Sequence, residues 1–477
     1  MENTSRIIKI KDSSMISRQE EKFIFIFVGL PARGKSYLSR KLANFMNWIG
    51  YNSKVFSIGL YRRILIGVNC NFHFFEDKDK ETKQSRQKCL KKTLDDMINF
   101  LLCKDGKIGI IDGANTRSDK RRIIENYIKD NLPNDSKFNI IWIESICTAE
   151  KILEENILKT KLKSPDYVGW DEDEAKKDFL IRIKTYEDSY DKLSEELDGS
   201  DCSYIQMINF NSEVNVRNIK GFVESKVLSF MMNLFSGEKP IYFIRHGESE
   251  SNKYNMIGGD SNLTEKGKRF SKALYRFLIN EEFMNNKTYS KKAVVLTSTL
   301  RRCVQTAESL ISIAKPEIHK CLDDINSGEY DGMSFSEFGE KHSKECEDRM
   351  KDKLNYRYPR GESYMDLINR IEPIIYELER REGPVIVIGN QATIRCLYGY
   401  FTNTPLKDIP HLEIPINTII RKLPQAYGFN EERFTYNADT DEITKNYDEY
   451  YLNFEDNLYN YPNKEEYNKL PMTNELD

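Results

Sequence analysis

The fold of this chain is constrained most by a continuous apolar stretch that leads directly into a glycine-bounded turn. Residues from Phe23 to Val28 are all aromatic or β-branched, which is typical of a strand buried on both faces. The turn runs from Gly29 to Ser36, and residues 37–49 have the pattern of a helix. A buried strand that enters a helix in this way predicts a parallel sheet covered by helices on both faces.

The turn itself, Gly29-Leu30-Pro31-Ala32-Arg33-Gly34-Lys35-Ser36, fits the phosphate-binding pattern G-x-x-x-x-G-K-[ST]. Its glycines let backbone N–H groups point inward around a β-phosphate, while Lys35 reaches the β- and γ-phosphates and the Ser36 hydroxyl ligates Mg²⁺. A carboxylate is expected at the end of a neighbouring strand, and Asp112 follows the apolar run Ile108–Ile111. The pattern therefore predicts phosphoryl transfer from a nucleotide, or nucleotide hydrolysis.

Short apolar runs alternate with helical stretches in two successive sets, which predicts two α/β units. In the first set we expect strands at 54–58, 108–111, 138–143 and 204–208, with helices at 84–102 and 176–193. In the second we expect strands at 241–244, 293–297 and 384–388, with helices at 264–280, 302–313 and 363–381. The Gly/Pro-containing break at 237–240 marks the boundary. The predicted organisation is a polar segment 1–21, units 22–236 and 237–435, and an acidic, tyrosine-rich tail 436–477.

The second unit places a histidine at the end of a buried strand, in Arg245-His246-Gly247-Glu248. A histidine flanked by an arginine, and by a glycine that permits close approach, suits a nucleophile that accepts a phosphoryl group. Arg302, later in the chain, is suited to hold the phosphate oxygens. These residues predict a phosphohistidine phosphatase or mutase fold.

The composition limits the classes of partner that we expect this chain to bind. The chain has 72 basic and 75 acidic residues and a net charge of -3, so we expect no nucleic-acid or membrane partner. No apolar run approaches the ~20 residues that span a bilayer. Nine unpatterned cysteines are typical of reduced thiols in a cytoplasmic protein. Basic residues of the first unit could instead clamp an anionic, phosphorylated acceptor; they are Arg62, Arg63, Arg86, Lys120, Arg121, Arg122, Lys161 and Arg182.

Three motifs in order, G-L-P-A-R-G-K-S (29–36), R-H-G-E-S-E-S-N (245–252) and Y-R-Y-P-R-G-E-S-Y (356–364), resemble those of the 6-phosphofructo-2-kinase/fructose-2,6-bisphosphatase family. The similarity extends from about residue 22 to 435. It implies a P-loop kinase domain with a mainly parallel sheet, followed by a phosphoglycerate-mutase-like histidine phosphatase domain. It also implies that ATP and Mg²⁺ serve to convert fructose 6-phosphate into fructose 2,6-bisphosphate, that the second domain removes this phosphate through a phosphohistidine, and that the chain forms a homodimer.

The resemblance also implies roles for individual residues of the kinase half. The ATP-binding positions correspond to Gly29, Leu30, Pro31, Ala32, Arg33, Gly34, Lys35, Ser36, Tyr37 and Asn156. Lys35, Asp112 and Cys147 match catalytic or adjacent positions, and Ser36 and Asp112 match the metal site. The fructose 6-phosphate contacts correspond to Arg62, Arg86, Lys120, Lys161, Arg182 and Tyr186.

In the phosphatase half, His246 matches the nucleophile and Asp324 the proton donor, with the pocket formed by Arg245, Asn252, Arg302, Arg349, Lys353, Tyr364, Asn390, Gln391 and Arg395. Asn390 replaces the second catalytic histidine of the family and Asp324 its glutamate, while Asn417 stands where the family has another histidine. An asparagine carries no positive charge, and misplacing a proton donor by ~1 Å can cost on the order of 10²-fold in rate. We therefore expect an impaired phosphatase.

The kinase half departs less from the family. Ala114 replaces a threonine expected to contact the sugar phosphate acceptor, and Lys120 replaces an arginine, which keeps the charge but loses the bidentate fork. The leading hypothesis is a fructose 6-phosphate 2-kinase with an impaired phosphatase. The alternatives are a working bifunctional enzyme, a regulatory protein that binds ligands without turnover, and a P-loop kinase for another acceptor such as a nucleic-acid end.

Overall fold

The fold is that of a computed structural model, which describes residues 21–68, 70–76, 79–133, 137–158, 164–210, 212–234, 237, 239–281, 292–425 and 428–446. These residues form two compact units. One unit falls within residues 1–43 and 51–228, and the other within 44–50 and 229–477.

The first unit is built on a six-stranded sheet. Its strands are β1 (Lys22–Val28), β2 (Ser53–Ser57), β3 (Ile108–Asp112), β4 (Phe138–Ile146), β5 (Tyr204–Ile208) and β6 (Glu213–Arg217). Their order is β2-β3-β1-β4-β5-β6. All neighbours are parallel except β6, which runs antiparallel to β5. Since β1 lies in the middle, its carboxyl end opens between β3 and β4, the place where open α/β sheets bind ligands.

Helices cover this sheet. They are α1 (Lys35–Trp48), α2 (Ile58–Leu65), α3 (Lys80–Leu102), α4 (Ser118–Asn131), α5 (Glu150–Asn156), α6 (Glu172–Glu187), α7 (Glu195–Asp198) and α8 (Phe222–Met232). The last residues of α1, from 44, and of α8, from 229, are grouped with the second unit. On one face, Ile24 and Ile26 of β1 pack with Leu94 and Met97 of α3 and with Ile124 of α4. Full burial of each such side chain is worth roughly 1.5–3 kcal/mol, so this contact fixes β1 against the sheet.

The second unit has a seven-stranded mixed sheet. Its strands are β7 (Ile241–Arg245), β8 (Val294–Thr297), β9 (Glu317–Ile318), β10 (Val385–Gly389), β11 (Thr418–Gln425), β12 (Gly428–Asn437) and β13 (Glu442–Asn446), in the order β13-β12-β11-β7-β10-β8-β9. Its helices are α9 (Glu250–Lys253), α10 (Glu265–Asn280), α11 (Arg301–Glu308), α12 (Phe335–Lys341), α13 (Ser343–Lys351), α14 (Tyr364–Arg380) and α15 (Gln391–Phe401). Strands β7, β10 and β8 are parallel, so their carboxyl ends meet at one edge.

The predicted buried strands are present with small changes in their ends, but three other expectations differ from the structure. The helix expected over 302–313 is α11, which ends at Glu308 because the chain then continues in turns, with Leu310 N donating to the Ala307 carbonyl and Ile313 N to the Leu310 carbonyl, both at 2.9 Å. The helix expected over 176–193 is α6, which ends at Glu187. It ends there because residues 190–193 turn toward Glu144, whose carboxylate accepts from the Tyr190 hydroxyl at 2.5 Å and from Leu193 N at 3.2 Å. The first residues of the predicted tail are strands: β12 continues to Asn437 and pairs with β13. Residues 1–20 and 447–477 lie outside the described residues.

Among the described helices, none combines the length and the apolar character that crossing a bilayer requires.

Candidate active sites

The phosphate-binding turn follows β1 at the carboxyl edge of the first sheet. Parallel pairing aligns Ile26 of β1 with Ile111 of β3, and Val28 of β1 with Glu144 of β4. The backbone N–H of Gly29 donates to the carbonyl of Ala114 at 2.9 Å. The turn that binds phosphate and the segment after Asp112 are therefore joined directly by a backbone hydrogen bond.

Close packing against β4 shapes the other side of the turn. Gly29 has a φ of +135°, and a Cβ added to it would lie 2.5 Å from the carbonyl oxygen of Ser145. The Ser145 hydroxyl donates to the carbonyl of Arg33 at 2.5 Å, and the Asn156 side-chain amide donates to the carbonyl of Ala32 at 3.2 Å. Only glycine tolerates the first position, so the motif's first glycine is required by this contact.

The cationic side chains of the turn are largely buried. Lys35 is 8% exposed and its Nζ donates to the carbonyl of Leu30 at 2.5 Å. Arg33 is 7% exposed and lies 3.6 Å from Glu187; burial lowers the pKa of its guanidinium, and Cys147 and Glu187 oppose that shift. Ser36 and Tyr37 lie in the first turn of α1, whose N-terminus presents backbone N–H groups and the positive end of the helix dipole to an anion.

Asp112 is the last residue of β3, beside this turn, and it is suited to be a ligand of Mg²⁺. Its side chain is 7% exposed, and Oδ2 accepts from the Ser57 hydroxyl at 3.1 Å. Within the described part of the chain, no Lys or Arg forms a salt bridge with it. A buried carboxylate without a cationic partner is costly, and Mg²⁺ is held in nucleotide sites by one or two carboxylates together with substrate phosphates. The oxygen donors of Ser36 and Asp112 therefore fit Mg²⁺.

Four of the predicted acceptor residues converge on Phe75, three on its ring and one on its backbone carbonyl, in the 3₁₀ turn Phe72–Phe75. The guanidinium carbon of Arg182 lies 3.6 Å from the ring centroid and that of Arg62 5.8 Å from it. The ring of Tyr186 is 6.2 Å from that of Phe75, and Arg86 donates to the Phe75 carbonyl at 2.9 Å. Positive charges from α2, α3 and α6 thus meet at one place.

The remaining predicted kinase residues are placed differently. Lys120 lies in the first turn of α4, and Lys161 lies outside the described residues. Cys147 is 8% exposed and follows β4. Arg121, which the sequence offered as an acceptor clamp, is 1% exposed and pairs with Asp198 at 2.7 Å. Its charge is neutralised inside the fold, so it has a structural role.

Sequence reasoning missed three residues of this site. Phe75 forms the surface on which the arginines meet, Asp166 pairs with Arg62 and Arg63, and Glu144, which is fully buried, accepts from Gln206 at 2.7 Å as well as from residues 190–193. Charge alone gave no signal for them, because an isolated carboxylate or aromatic residue in the sequence is more often surface or core.

In the second unit, a pocket at the carboxyl edge of the parallel strands is lined by most of the predicted phosphatase residues. They are Arg245, His246, Asn252, Arg302, Asp324, Arg349, Lys353, Tyr364, Gln391 and Arg395. Five of these are cationic side chains and one is a carboxylate, so the pocket is strongly positive. Such a pocket is suited to a ligand with several negative charges.

His246 has the geometry of a nucleophile. Its Nδ1 lies 2.7 Å from the Gly247 carbonyl, so in the neutral ring this nitrogen donates and Nε2 keeps its lone pair. Burial lowers the pKa of His246 well below 6.5, and the charge of Arg302 lowers it further. The ring is therefore neutral and can attack phosphorus.

The guanidinium of Arg302 is held by three partners. Its Nε donates to Asn390 Oδ1 at 2.8 Å, its Nη1 donates to the Gly259 carbonyl at 2.6 Å, and its Nη2 lies 3.2 Å from Asp324 Oδ2. Asn390, expected in the pocket, is fully buried and lies behind Arg302 rather than among the lining residues. Asp324, expected as a proton donor, is ion-paired.

The other pocket residues are held by neutral partners. Oriented with its amide oxygen toward the guanidinium groups, Gln391 accepts from Arg245 and Arg395, both at 3.2 Å. Burial lowers the pKa of Arg245 to about 10. Burial, with Arg395 and Arg349 nearby, lowers the pKa of Lys353 to about 8. The two shifts reflect desolvation and crowded positive charge, which an anion would relieve.

The remaining contacts fix the rim of the pocket. Arg349 donates to the Tyr358 hydroxyl at 2.8 Å, and Arg395 donates to the Tyr364 hydroxyl at 3.2 Å. The Asn252 side-chain oxygen accepts from the Ser249 backbone N–H at 3.1 Å, as part of the capping box of the short helix α9, and from the Ser249 hydroxyl at 2.8 Å. The positions of these cationic and amide groups are thus set before any ligand arrives.

Comparison with known proteins agrees with this division. Residues 11–237 match the 6-phosphofructo-2-kinase family, and residues 241–437 match the histidine phosphatase superfamily, branch 1. The chain is 38% identical to human 6-phosphofructo-2-kinase/fructose-2,6-bisphosphatase 1, over 91% of this chain and 89% of the human one. It is 37% identical to isozyme 4 of Rattus norvegicus, over 87% and 85% of the two chains.

The relative from Caenorhabditis elegans, also described as 6-phosphofructo-2-kinase/fructose-2,6-bisphosphatase, is 34% identical over 94% of this chain and 97% of its own. Among solved structures, mycobacterial hydrolase 1 aligns at 18% identity and a TM-score of 0.34, over 41% of this chain and 97% of its own. The predicted order, a kinase domain followed by a histidine phosphatase domain, is confirmed. Because the chain is 37–38% identical to the rat and human proteins over 85–89% of their length, it belongs to the 6-phosphofructo-2-kinase/fructose-2,6-bisphosphatase family.

Proposed function

We propose that this chain is an ATP-dependent 6-phosphofructo-2-kinase that makes fructose 2,6-bisphosphate from fructose 6-phosphate, and that its bisphosphatase half is impaired. The observation that carries the kinase assignment is the convergence of Arg62, Arg182 and Arg86 on Phe75. Arg62 lies in α2, which begins directly after β2. The last residue of β2, Ser57, donates a hydrogen bond from its hydroxyl to Asp112. A cationic acceptor site and a nucleotide site are thus carried by adjacent strands.

At the nucleotide end, the turn from Gly29 to Ser36 would hold the phosphates of ATP through backbone N–H groups, with Lys35 stabilising charge on the transferred group. Ser36 and Asp112 would hold Mg²⁺. The ion, when bound, supplies a positive charge that neutralises the phosphate oxygens. The burial of Lys35 and Asp112 strengthens their interactions with a bound anion or cation, since buried charges are screened less than exposed ones.

At the acceptor end, guanidinium groups are suited to a phosphate because their planar forks donate two parallel hydrogen bonds. Holding the 6-phosphate here would position the 2-hydroxyl for attack on the γ-phosphorus. The new P–O bond forms as the bond to the β-phosphate oxygen breaks, ADP leaves, and the proton of the 2-hydroxyl is released to solvent. Catalysis of this kind is mostly positioning and charge stabilisation, which is what arginines carried by packed helices provide.

The proposed impairment of the second domain rests on Arg302. General acid catalysis contributes ~10²–10⁴-fold to rates, and Asp324 is a short side chain engaged in an ion pair with Arg302 at 3.2 Å. Asn390 brings no charge and is turned toward Arg302 Nε. Both groups that would assist departure of the sugar oxygen are therefore occupied with the same arginine.

One observation favours a second candidate, a bifunctional enzyme with residual phosphatase activity. His246 is neutral and its Nδ1 is oriented by the Gly247 carbonyl, which is the arrangement required for attack on phosphorus. We further infer a cytoplasmic location, because all nine cysteines are unpaired and would stay reduced there. A homodimer remains a prediction, to be checked by light scattering.

Two coupled assays on the purified chain test the proposal. One follows ATP-dependent formation of fructose 2,6-bisphosphate from fructose 6-phosphate, and the other follows phosphate release from that product. We expect turnover in the first assay that Lys35→Ala lowers by at least about 10²-fold, and little in the second. Saturable ATP binding without sugar phosphorylation would contradict the kinase assignment and favour a regulatory binding protein. Comparable rates in both assays would contradict the impairment.

A further inference from the structure

One buried carboxylate is shared by two adjacent arginines of the proposed acceptor site. Asp166, in the 3₁₀ turn Pro165–Tyr167, is 2% exposed. Arg62 Nη2 donates to both of its oxygens at 2.7 Å. Arg63 approaches with its Nε and Nη2 at 3.2 and 3.1 Å, one nitrogen on each oxygen. Two guanidinium groups therefore converge on a single acid.

The site around this acid contains more positive charge than it neutralises. Arg182 and Arg62 lie over the Phe75 ring, and Arg86 bonds to the Phe75 carbonyl. Burial of Asp166 favours its neutral form, but hydrogen bonds from Arg63 and Arg62 outweigh this and lower its pKa. A second carboxylate, Asp178, accepts from Phe72 N at 3.0 Å and from the Tyr167 hydroxyl at 2.7 Å. Four arginines therefore outnumber two carboxylates, and the site keeps a positive charge that attracts a phosphate.

Asp166 is not suited to contact the sugar phosphate itself, because its carboxylate would repel a phosphate and both of its oxygens already accept from Arg62 and Arg63. Without its charge, neighbouring guanidinium groups on one turn of α2 would repel each other, and a buried arginine left without a counter-charge costs more than the pair contributes. A carboxylate between them holds both side chains in one orientation, and pre-orientation of this kind reduces the entropy lost when a ligand binds.

We propose that Asp166 is a positioning residue of the acceptor site, which fixes Arg62 and Arg63 so that they can bind the phosphate group of the sugar. The inference rests on the proposed kinase function and adds a residue that the motifs do not supply. Asp166 acts through the arginines, so its loss changes the affinity for the phosphorylated acceptor and leaves the nucleotide site unchanged.

The test compares Asp166→Asn with a matched control, Asp198→Asn. Asp198 is also nearly buried and pairs with Arg121 through two hydrogen bonds, at 2.7 and 2.8 Å, but it has no hydrogen bond or salt bridge to the arginines around Phe75. Both variants lose a buried ion pair, so both are expected to melt at a lower temperature. Only Asp166→Asn is expected to raise the KM for fructose 6-phosphate, by roughly tenfold, with kcat and the KM for ATP within twofold of the original.

Other results would overturn the proposal. They are an unchanged KM for fructose 6-phosphate, a lower one (which would make Asp166 a competitor of the phosphate), or an equal rise in Asp198→Asn. Asp166→Glu provides a second variant that keeps the charge, and it is expected to recover part of the affinity.

Direct binding of fructose 6-phosphate, measured by calorimetry without nucleotide, separates this inference from the kinase assignment. If the original chain binds the sugar phosphate but transfers nothing to it, the proposed function fails, while the ratio of affinities between the original chain and Asp166→Asn still decides the role of Asp166. If transfer is observed and the two affinities are equal, only the inference on Asp166 fails.

Discussion

The Nε of Arg302 donates a hydrogen bond to Oδ1 of Asn390 at 2.8 Å, in the interior of the second unit. An amide oxygen can accept this bond without carrying charge, and it leaves the second terminal nitrogen of Arg302 directed at Asp324, 3.2 Å away. Asn390 and Asp324, two of the positions at which this chain departs from the family's phosphatase pattern, are therefore connected through one guanidinium group, and changes at them are expected to be coupled.

The first prediction concerns reversion of both positions. We expect Asn390→His combined with Asp324→Glu to raise phosphate release from fructose 2,6-bisphosphate by about 10²-fold or more, because a proton donor and a second cationic group return to the pocket. Since both residues contact Arg302, the gain in the double variant should exceed the product of the single gains. Initial rates at saturating substrate measure this.

Adding His246→Ala to the double variant is the control, and it should abolish the gained activity if the nucleophile is His246. Strictly multiplicative single effects would contradict the coupling through Arg302. Full activity in the original chain would contradict the impairment itself.

The second prediction concerns Ala114, whose carbonyl binds Gly29 N and whose side chain replaces a threonine of the family pattern. We expect Ala114→Thr to lower the KM for fructose 6-phosphate by several-fold to about tenfold, the worth of one neutral hydrogen bond, ~0.5–1.5 kcal/mol. The KM for ATP should not change. Ala114→Val has nearly the shape of threonine without the hydroxyl, so an equal effect of valine would attribute the change to packing.

Much of the fold was predictable because its central strands are uninterrupted apolar runs. Residues 23–28 and 204–208 were expected as strands and are β1 and β5. Polar strands gave no such signal. β13 has the sequence Glu-Ile-Thr-Lys-Asn with alternating exposed and half-buried residues, so it reads as part of a polar tail until its pairing with β12 is known.

The sequence identified many residues of the candidate sites, but not which residues contact one another there. The motif at 29–36 specified both the strand and the helix around it, and the basic residues Arg62, Arg86 and Arg182 were expected to meet. Asp166, the counter-ion of Arg62 and of its neighbour Arg63, lies about a hundred residues after both in sequence, and only the fold brings it near them. Asn390 could likewise be recognised as a replacement of the family's histidine. The sequence did not show that its side chain is fully buried and accepts from Arg302 Nε.

The third prediction concerns the contact between Gly29 and Ser145. We expect Gly29→Ala to weaken ATP binding by at least about tenfold, because the methyl group would lie 2.5 Å from a carbonyl oxygen at a φ of +135°, where strain costs ~1–3 kcal/mol. Gly199→Ala is the matched control, since Gly199 has a φ of +96° with nothing within 4 Å of the added Cβ. It should lose stability through strain and keep its affinity for ATP. Calorimetric ATP titration and thermal unfolding distinguish the two, and equal loss of ATP affinity in both variants would refute the steric argument.

The last prediction is a pH dependence of anion binding in the second pocket. Lys353 has a pKa of about 8 because it is buried near Arg395 and Arg349, and its Nζ donates to the Pro410 carbonyl at 2.8 Å. A lysine is charged below its pKa, so it assists the binding of a phosphate below pH 8 and loses this effect as the pH rises through 8. The phosphate, with a second pKa near ~6, stays dianionic over this range.

We therefore expect the affinity for fructose 2,6-bisphosphate, measured by calorimetry, to fall by roughly tenfold between pH 7 and 9, the worth of a charge-assisted hydrogen bond. Lys353→Arg should keep nearly all of its affinity over this range, because the guanidinium placed there stays protonated and Arg245, with a pKa of about 10, is still largely charged at pH 9. Lys353→Met should bind weakly at every pH. The kinase half can also bind this product, so the contribution of the pocket is the difference between the original chain and Lys353→Met. If that difference does not change with pH, Lys353 is not the group whose deprotonation weakens binding.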